Sequence, residues 1–305
     1  MKSTNSYSFL TIGKTQESTE SQSFKRYVGL ASSFVVAVNP TKKELEDIYG
    51  REMANDPEYT VDTDNGKEAR VTFIVKTDPN VNNGVEMINR AMFTLRNVPA
   101  YNRDKTKVQV IDKYGNVTWA SVENVKAGKK LIDSNGNPLK IDDSYRMACV
   151  GEADLVGFLK AYLCVEEAFS YVNGVWVKKG NADTCVFGLE HIKDYFSGDF
   201  SEIKEAIALQ PNNKVKLLYG VRTTDEGRQY QTIATRNGMV LHNNAGSSAI
   251  SRLAKDLNRA KEAGAYAAID YRVQELSEYT VNATDLTEAP SSAASDDSDD
   301  QPWNF

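Results

Sequence analysis

The stretch RVTFIVK, residues 70–76, alternates strictly between two sets of side chains, and this alternation decides the fold class. Successive side chains of an extended chain point to opposite faces, so Val71, Phe73 and Val75 share one face. The other face carries Arg70, Thr72, Ile74 and Lys76. This is the pattern of a half-buried antiparallel strand, which predicts a sheet with one side on a core.

Similar runs recur along the chain, separated by turns rich in Gly and Asn. Pro40 cannot continue a ladder, and Thr41 with Glu44 forms a helix-start signal, which predicts a short helix over 42–49. Hairpins are expected where such runs flank short polar turns. The predicted strands are residues 34–38, 70–76, 107–112, 117–122, 130–132, 139–141, 215–222 and 229–236.

Between residues 151 and 210 the apolar period changes from two to that of a helix. Residues 152–164 place four apolar side chains on one stripe, namely Leu155, Val156, Leu159 and Leu163. Residues 189–196 and 200–209 are expected to form further helices, with a hairpin containing Trp176 before them. We interpret this region as a helical insertion into the sheet. The strongest helix of the sequence is predicted at about 249–264.

The C-terminal 25 residues, VNATDLTEAPSSAASDDSDDQPWNF, carry six acidic residues and no Lys or Arg. The chain as a whole has a net charge of −6, so the remaining 280 residues are balanced. A run of Ser, Ala, Asp and Pro cannot bury enough apolar surface to offset the entropy of ordering it, which predicts a disordered tail. Its tip combines acids with large aromatics, a combination suited to a hydrophobic pocket rimmed by Arg and Lys. The tip residues are Asp296, Asp297, Asp299, Asp300, Pro302, Trp303 and Phe305.

These patterns predict an α+β, β-rich protein whose core is an antiparallel sheet or small barrel. Its 305 residues with 41 % apolar side chains can form a real core. We expect a flexible N-terminal arm at 1–27, a β-rich core at 28–276 with the helical insertion at about 151–210, and the disordered acidic tail at 277–305. The sequence has no apolar segment long enough to predict a membrane span or a secretory signal, so a cytoplasmic protein is expected.

The ending DDSDDQPWNF resembles the acidic tip of single-stranded DNA-binding proteins of bacteria and several bacteriophages. The likeness covers about ten residues and departs from the bacterial form at Trp303 and Asn304. Near the front, FKRYVGLASSFVVAVNPTKKELEDIYG resembles uncharacterised replication-associated proteins of large tailed phages. The resemblance implies an OB-like barrel that coats single-stranded DNA in the cytoplasm of a bacterial host. It also implies that the tip recruits replication or recombination proteins. The alternative is a phage virion or assembly protein whose acidic tail keeps it soluble.

The segment 214–236 is the best candidate for a DNA-binding face. From Lys214 to Arg272 the sequence has ten basic and five acidic residues, an excess of five positive charges in a balanced body. Basic side chains that track phosphates, together with aromatic faces for stacking, are what sequence-tolerant binding of single strands needs. The alternative is that Tyr219 and Tyr230 form a cross-strand core pair beneath a solvated charged face. The candidate residues are Lys214, Lys216, Tyr219, Arg222, Arg228, Tyr230, Arg236 and Trp119.

Metal and catalytic chemistry have little support in the sequence. Cys149, Cys164, Cys185 and His191 could in principle bind zinc, but their gaps are longer than those of a finger or knuckle, so reduced, buried thiols are the better interpretation. No GxSxG, HExxH or Walker lysine motif occurs. We therefore expect no enzyme, no metal and no cofactor.

Overall fold

The computed structural model of the chain describes residues 25–64, 66–112, 115–133, 135–139, 141, 143, 145–163, 169–172, 175–178 and 195–279. Residues 1–24 of the predicted arm and residues 280–305 of the predicted tail, with all of its tip, lie outside the described residues. At the end of the predicted arm, Tyr27 already belongs to the first strand.

The described part of the chain contains five α-helices, one short 3₁₀-helix at 195–197 and fifteen strands. The helices are α1 (Lys42–Tyr49), α2 (Val122–Lys126), α3 (Glu152–Leu163), α4 (Ser201–Ala208) and α5 (Ser247–Glu262). The strands are β1 (Tyr27–Val38), β2 (Thr60–Thr63), β3 (Gly66–Thr77), β4 (Ile88–Pro99), β5 (Lys107–Ile111), β6 (Val117–Ser121), β7 (Arg146–Met147), β8 (Cys149–Val150), β9 (Phe169–Val172), β10 (Val175–Lys178), β11 (Lys214–Thr223), β12 (Gln229–Ala234), β13 (Leu241–His242), β14 (Ile269–Tyr271) and β15 (Ser277–Glu278).

The main sheet has the order β12-β11-β1-β3-β4-β8, with the short strands β2, β13, β14 and β15 added along it. Every named pairing in it is antiparallel. The sheet curls into a half-barrel, so that β12 and β4, although far apart in this order, approach to within 8 Å between Cα atoms. The predicted β-rich α+β class with an antiparallel sheet is therefore confirmed. A smaller sheet, β6-β5-β7, and the hairpin β9-β10 complete the strands.

The decisive stretch lies at the centre of the main sheet, as part of β3 between β1 and β4. Val71, Phe73 and Val75 are fully buried in the main core, which confirms the predicted inner face. Ile74 is also fully buried although it points the other way. The outer face is covered there: Arg90, opposite Ile74 on β4, lies 5.6 Å from the ring centre of Tyr49 in α1.

The helix α3 fills the inside of the curled sheet. Nine of its twelve residues are buried, and the other three, Asp154, Gly157 and Lys160, form one narrow stripe along the helix. Phe158 packs between two strand aromatics, with ring centres 4.4 Å from Phe73 and 5.3 Å from Phe93. The predicted helix is confirmed, and α3 lies at the centre of the core. The helix α4 joins the same core through Ile203, Ala206 and Ile207.

The helix α5 packs on the opposite, outer face of β11 and β12. Leu253 and Leu257 meet Leu218 and Ala234 in a second apolar cluster. The helix predicted to be the strongest is thus confirmed. It buries a face of the sheet that would otherwise be exposed to water. No helix within the described ranges is long and apolar enough to span a bilayer.

The main core makes a direct stability prediction, because the chain offers two leucines in opposite settings. Leu155 in α3 is fully buried, whereas Leu209 at the end of α4 is 43 % exposed. We expect Leu155→Ala to lower the free energy of unfolding by about 2–5 kcal/mol through the cavity it leaves. Leu209→Ala should change it by about 0.5 kcal/mol or less. Urea denaturation of both variants tests this, and equal losses would mean that α3 is not the packing centre.

Candidate nucleic-acid interface

The segment that the sequence singled out forms the predicted hairpin, β11 followed by β12. Its pairing runs from Leu218 opposite Ala234 to Thr223 opposite Gln229. On β11 the inner face carries Val215, Leu217 and Tyr219, all in the main core. The outer face carries Lys214, Lys216, Leu218, Gly220 and Arg222. The predicted division of basic and apolar residues between two faces is therefore confirmed.

Tyr219 is a core residue, which corrects the prediction that it offers a face for stacking. It is fully buried, and its hydroxyl lies 3.0 Å from the hydroxyl of Ser33, itself fully buried on β1. Burial raises the pKa of Tyr219 above its usual range, and the Ser33 hydrogen bond opposes this only in part. A base could reach this ring only if the core opened.

The outer face of β11 is interrupted in its middle. Leu218 is buried under α5, and Gly220 lies so close to Tyr271 of β14 that a Cβ at this glycine would be 2.4 Å from the Tyr271 ring. Lys216 and Arg222 are six residues apart, or about 20 Å along a strand. The predicted basic face is therefore two separate ends and not one continuous groove.

The first end is held by contacts within the protein. Lys214 forms an ion pair with the buried Asp78, and its Nζ lies 4.9 Å from the ring centre of Phe34. Burial alone would raise the pKa of Asp78, but hydrogen bonds from Lys214 and Asn80 outweigh it and lower the pKa. Lys216 donates a 3.4 Å hydrogen bond from Nζ to the carbonyl of Ala245. These two lysines are engaged in holding the sheet to its neighbouring loops.

The second end combines an open aromatic ring with basic side chains. Tyr230 is 40 % exposed and sits directly opposite Arg222, so the two share the outer face. Arg228 is exposed in the turn that leads into β12. We call Arg222, Arg228 and Tyr230 the distal face. The distal face brings together the two components that the sequence predicted, an aromatic ring and basic side chains.

Arg236 lies beyond the other end of β12, on the rim of a cleft that we call the seam cleft. The cleft has a volume of about 350 Å³ and lies where the start of α3 meets the end of β12. Asp154 of α3 forms part of its wall and accepts a 2.7 Å hydrogen bond on Oδ1 from the backbone N–H of Asn237. Burial raises the pKa of Asp154, while the Asn237 hydrogen bond and the charge of Arg236 oppose the rise. The candidate residue Arg236 is thus separate from the distal face.

Trp119 belongs to the smaller sheet, on β6, and not to the hairpin. It is 43 % exposed and lies opposite Gln109, with Lys107 on the same face of β5. Its exposure fits a stacking role. Its position in a different sheet means that the structure does not bring it into one site with Tyr230.

A basic stripe on α5 was not recognised in the sequence as a feature of its own. Arg252, Lys255 and Arg259 are exposed at positions that share one side of the helix, whereas Leu253 and Leu257 face the sheet. One acid intervenes, because Asp256 lies 3.7 Å from Arg259. The helical spacing of these three residues was visible in the sequence. Since α5 is packed on the hairpin, the positive excess of residues 214–272 belongs to one structural unit.

The possible zinc ligands are largely outside the described residues, since only Cys149 is among those that the structure covers. Its side chain is a free thiol, and burial raises its pKa well above the usual range, with the Glu152 charge adding to the rise. Over the described ranges no three His, Cys, Asp or Glu side chains are grouped as metal ligands would be. Cys164, Cys185 and His191 lie outside those ranges, and so do all of the tip residues.

No protein-family model, curated protein or solved structure matches the chain at a significant level. The likeness of the DDSDDQPWNF ending to single-strand binders covers ten residues that all lie outside the described part. It stays a resemblance of sequence.

The two tyrosines of the hairpin should respond in opposite ways to truncation. Tyr219→Ala removes a buried ring and the partner of the Ser33 hydroxyl, so we expect a loss of about 3–5 kcal/mol in the free energy of unfolding. Tyr230→Ala removes a half-exposed ring, and we expect a loss of about 1 kcal/mol or less. Chemical denaturation measures both. Similar losses would place Tyr230 in the core as well and remove it from the distal face.

Proposed function

We propose that this protein binds single-stranded DNA through the distal face, as a coating protein of phage replication or recombination. The observation that carries the proposal is the exposed ring of Tyr230 directly opposite Arg222, with Arg228 exposed at the same end of the hairpin. An aromatic face accepts any base, and neighbouring guanidinium groups attract the phosphates on either side of it. The resemblance of the ending to single-strand binders supports the same function.

Affinity on this proposal comes mainly from charge. Basic side chains that approach phosphates release condensed counterions, and this term is independent of sequence. The stripe Arg252, Lys255 and Arg259 on α5 adds positive field to the unit that carries the distal face. Lys214 contributes little, because its charge is already matched by Asp78. Trp119 provides a second ring for stacking when the bound DNA is long enough to extend from the distal face to the smaller sheet.

The stricter fold prediction, a closed OB-like barrel, remains part of this proposal. The approach of β12 to β4 supports closure. The inside of the curled sheet is filled by α3, whose Phe158 packs on Phe73 and Phe93. An OB-like barrel in this protein would therefore be one that is built around a helix.

The proposal predicts how affinity depends on salt. Binding to single-stranded oligonucleotides should exceed binding to duplex, and the logarithm of the association constant should fall linearly with the logarithm of salt concentration. Each phosphate contact contributes about 0.7 to the slope, so Arg228→Gln should reduce it by about that amount. The matched control is Arg51→Gln, which removes an exposed arginine beyond α1. Fluorescence titration at several salt concentrations measures the slopes. Equal affinity for duplex, or no binding at low salt, would refute the function.

Stacking is tested by a pair of tyrosines with the same exposure. Tyr230 is 40 % exposed and Tyr101, which bridges to β5 in the smaller sheet, is 38 % exposed. We expect Tyr230→Ala to cost about 1–3 kcal/mol of binding free energy, and Tyr101→Ala to leave binding unchanged. Trp119→Ala measured alongside them decides whether the smaller sheet also contacts DNA. Loss of binding in the control alone would move the interface away from the distal face.

The tip is expected to act in two separable ways. Deleting residues 296–305 removes four carboxylates. It should therefore tighten DNA binding at low salt if the tail competes with phosphates, and the gain should shrink as salt screens the tail. Phe305→Ala should abolish recruitment of replication proteins while leaving DNA affinity nearly unchanged, because it removes only the aromatic anchor. DNA titration and a pull-down from host extract measure the two effects. The alternative, a virion or assembly protein whose tail only keeps it soluble, predicts neither effect.

A further inference from the structure

The two ends of the described chain meet beside the distal face. The strand β15 pairs with the start of β1, and the backbone N–H of Tyr279 donates a 2.7 Å hydrogen bond to the carbonyl of Arg26. The Arg26 guanidinium donates in turn from Nη2 to the carbonyl of Gln229, at 3.2 Å. Gln229 stands between Arg228 and Tyr230 in the sequence, so the start of β1 lies next to two of the three residues of the distal face.

A second set of hydrogen bonds fixes this arrangement. The side chain of Gln231 accepts on Oε1 from the backbone N–H of Tyr27 at 2.9 Å. Its Nε2 donates to the carbonyls of Tyr27 at 2.7 Å and of Gly220 at 2.9 Å. One side chain of β12 therefore ties the start of β1 to both strands of the hairpin. Lys25 directly precedes this fixed segment, with its Cα about 3.8 Å from that of Arg26.

The charge of Lys25 is only loosely matched. Its Nζ lies 3.6 Å from Oε2 of Glu278, and the two side chains are 67 % and 51 % exposed. Ion pairs exposed to this degree contribute little and are screened by salt. The pair of Lys214 with Asp78 is the contrast, because Asp78 is 2 % exposed and would be left as a buried charge without its lysine. A phosphate can therefore replace the carboxylate partner of Lys25, but not that of Lys214.

We propose that Lys25 is a further phosphate contact of the DNA-binding face, and that Glu278 occupies it in the free protein. Bound DNA places a phosphate against the Lys25 ammonium group where the Glu278 carboxylate was. Arg26 is a positioning residue, because its bond to Gln229 holds this segment against the hairpin. The inference rests on the proposed function, since it extends the distal face by one basic position from the other end of the chain.

The phosphate contact is tested by substituting Lys25 in the full-length protein. Lys25→Gln should weaken binding to oligothymidine about fivefold at about 50 mM salt, and should lower the slope of the log–log salt plot by about 0.7. Lys25→Arg should preserve both values, because a guanidinium group also binds phosphate. The matched control is Lys43→Gln, which removes an exposed lysine of α1 and should change neither value. Fluorescence titration at several salt concentrations measures them.

The displacement of Glu278 is tested from the acidic side. Glu278→Gln should tighten binding about twofold to fivefold, because DNA then has no ion pair to break at Lys25. The same substitution should give no gain in a protein that already carries Lys25→Gln. The control is Glu86→Gln, which removes the acid of another partly exposed ion pair, with Lys76, and should not tighten binding.

The outcomes separate this inference from the proposed function. An unchanged salt slope in Lys25→Gln, with the slope still lowered in Arg228→Gln, would overturn the inference and leave single-strand binding intact. A gain from Glu278→Gln that persists alongside Lys25→Gln would overturn the displacement, because Glu278 would then act on DNA by itself. No binding of oligothymidine by the unaltered protein would overturn both proposals.

Discussion

The rest of the structure depends on burying α3, a helix with nine of its twelve residues in the interior. A helix that is apolar over most of its surface must be largely enclosed, and the sheet supplies the enclosure by curling until β12 approaches β4. The start of the helix is held tightly. Gly151 has a φ of 83° and lies where a Cβ would meet the Thr94 carbonyl at 2.0 Å. Glu152, fully buried, is paired with Arg146 and accepts the Cys149 N–H. A buried carboxylate needs such partners, because desolvation without them would be prohibitive.

This enclosure explains where function can lie. The inner face of the sheet is committed to α3, and the middle of the outer face on β11 is committed to α5 through Leu218. A binding site open to solvent can therefore lie only where the strands extend beyond these helices. The distal face is the end of the hairpin beyond α5. The seam cleft lies where the start of α3 meets the end of β12.

Much of the local structure was predictable because its signals are short-range. The alternation of residues 70–76 gave β3 its inner face, and Thr41 caps α1 with Glu44 in the reciprocal arrangement that the sequence indicates. The strand β4 was missed although Ala91, Phe93 and Leu95 alternate as clearly as those of β3. Its outward residues include Arg90, Thr94 and Arg96, and asparagines lie near both ends of the strand, so the run as a whole looks less apolar. The alternating pattern was therefore present in the sequence, and only the polar residues of the run concealed it.

The sequence by itself determined the period of each segment, and therefore which side chains share a face. It placed Lys214, Lys216 and Arg222 together, opposite Tyr219. Only the tertiary structure decided which face is covered and where. Tyr219 is buried in the core that α3 fills, while Tyr230, one strand away, belongs to neither apolar cluster and stays half exposed. Periodicity is a property of neighbours along the chain. Which face of a strand is buried depends on helices from distant parts of the sequence, and no local pattern shows where those helices pack.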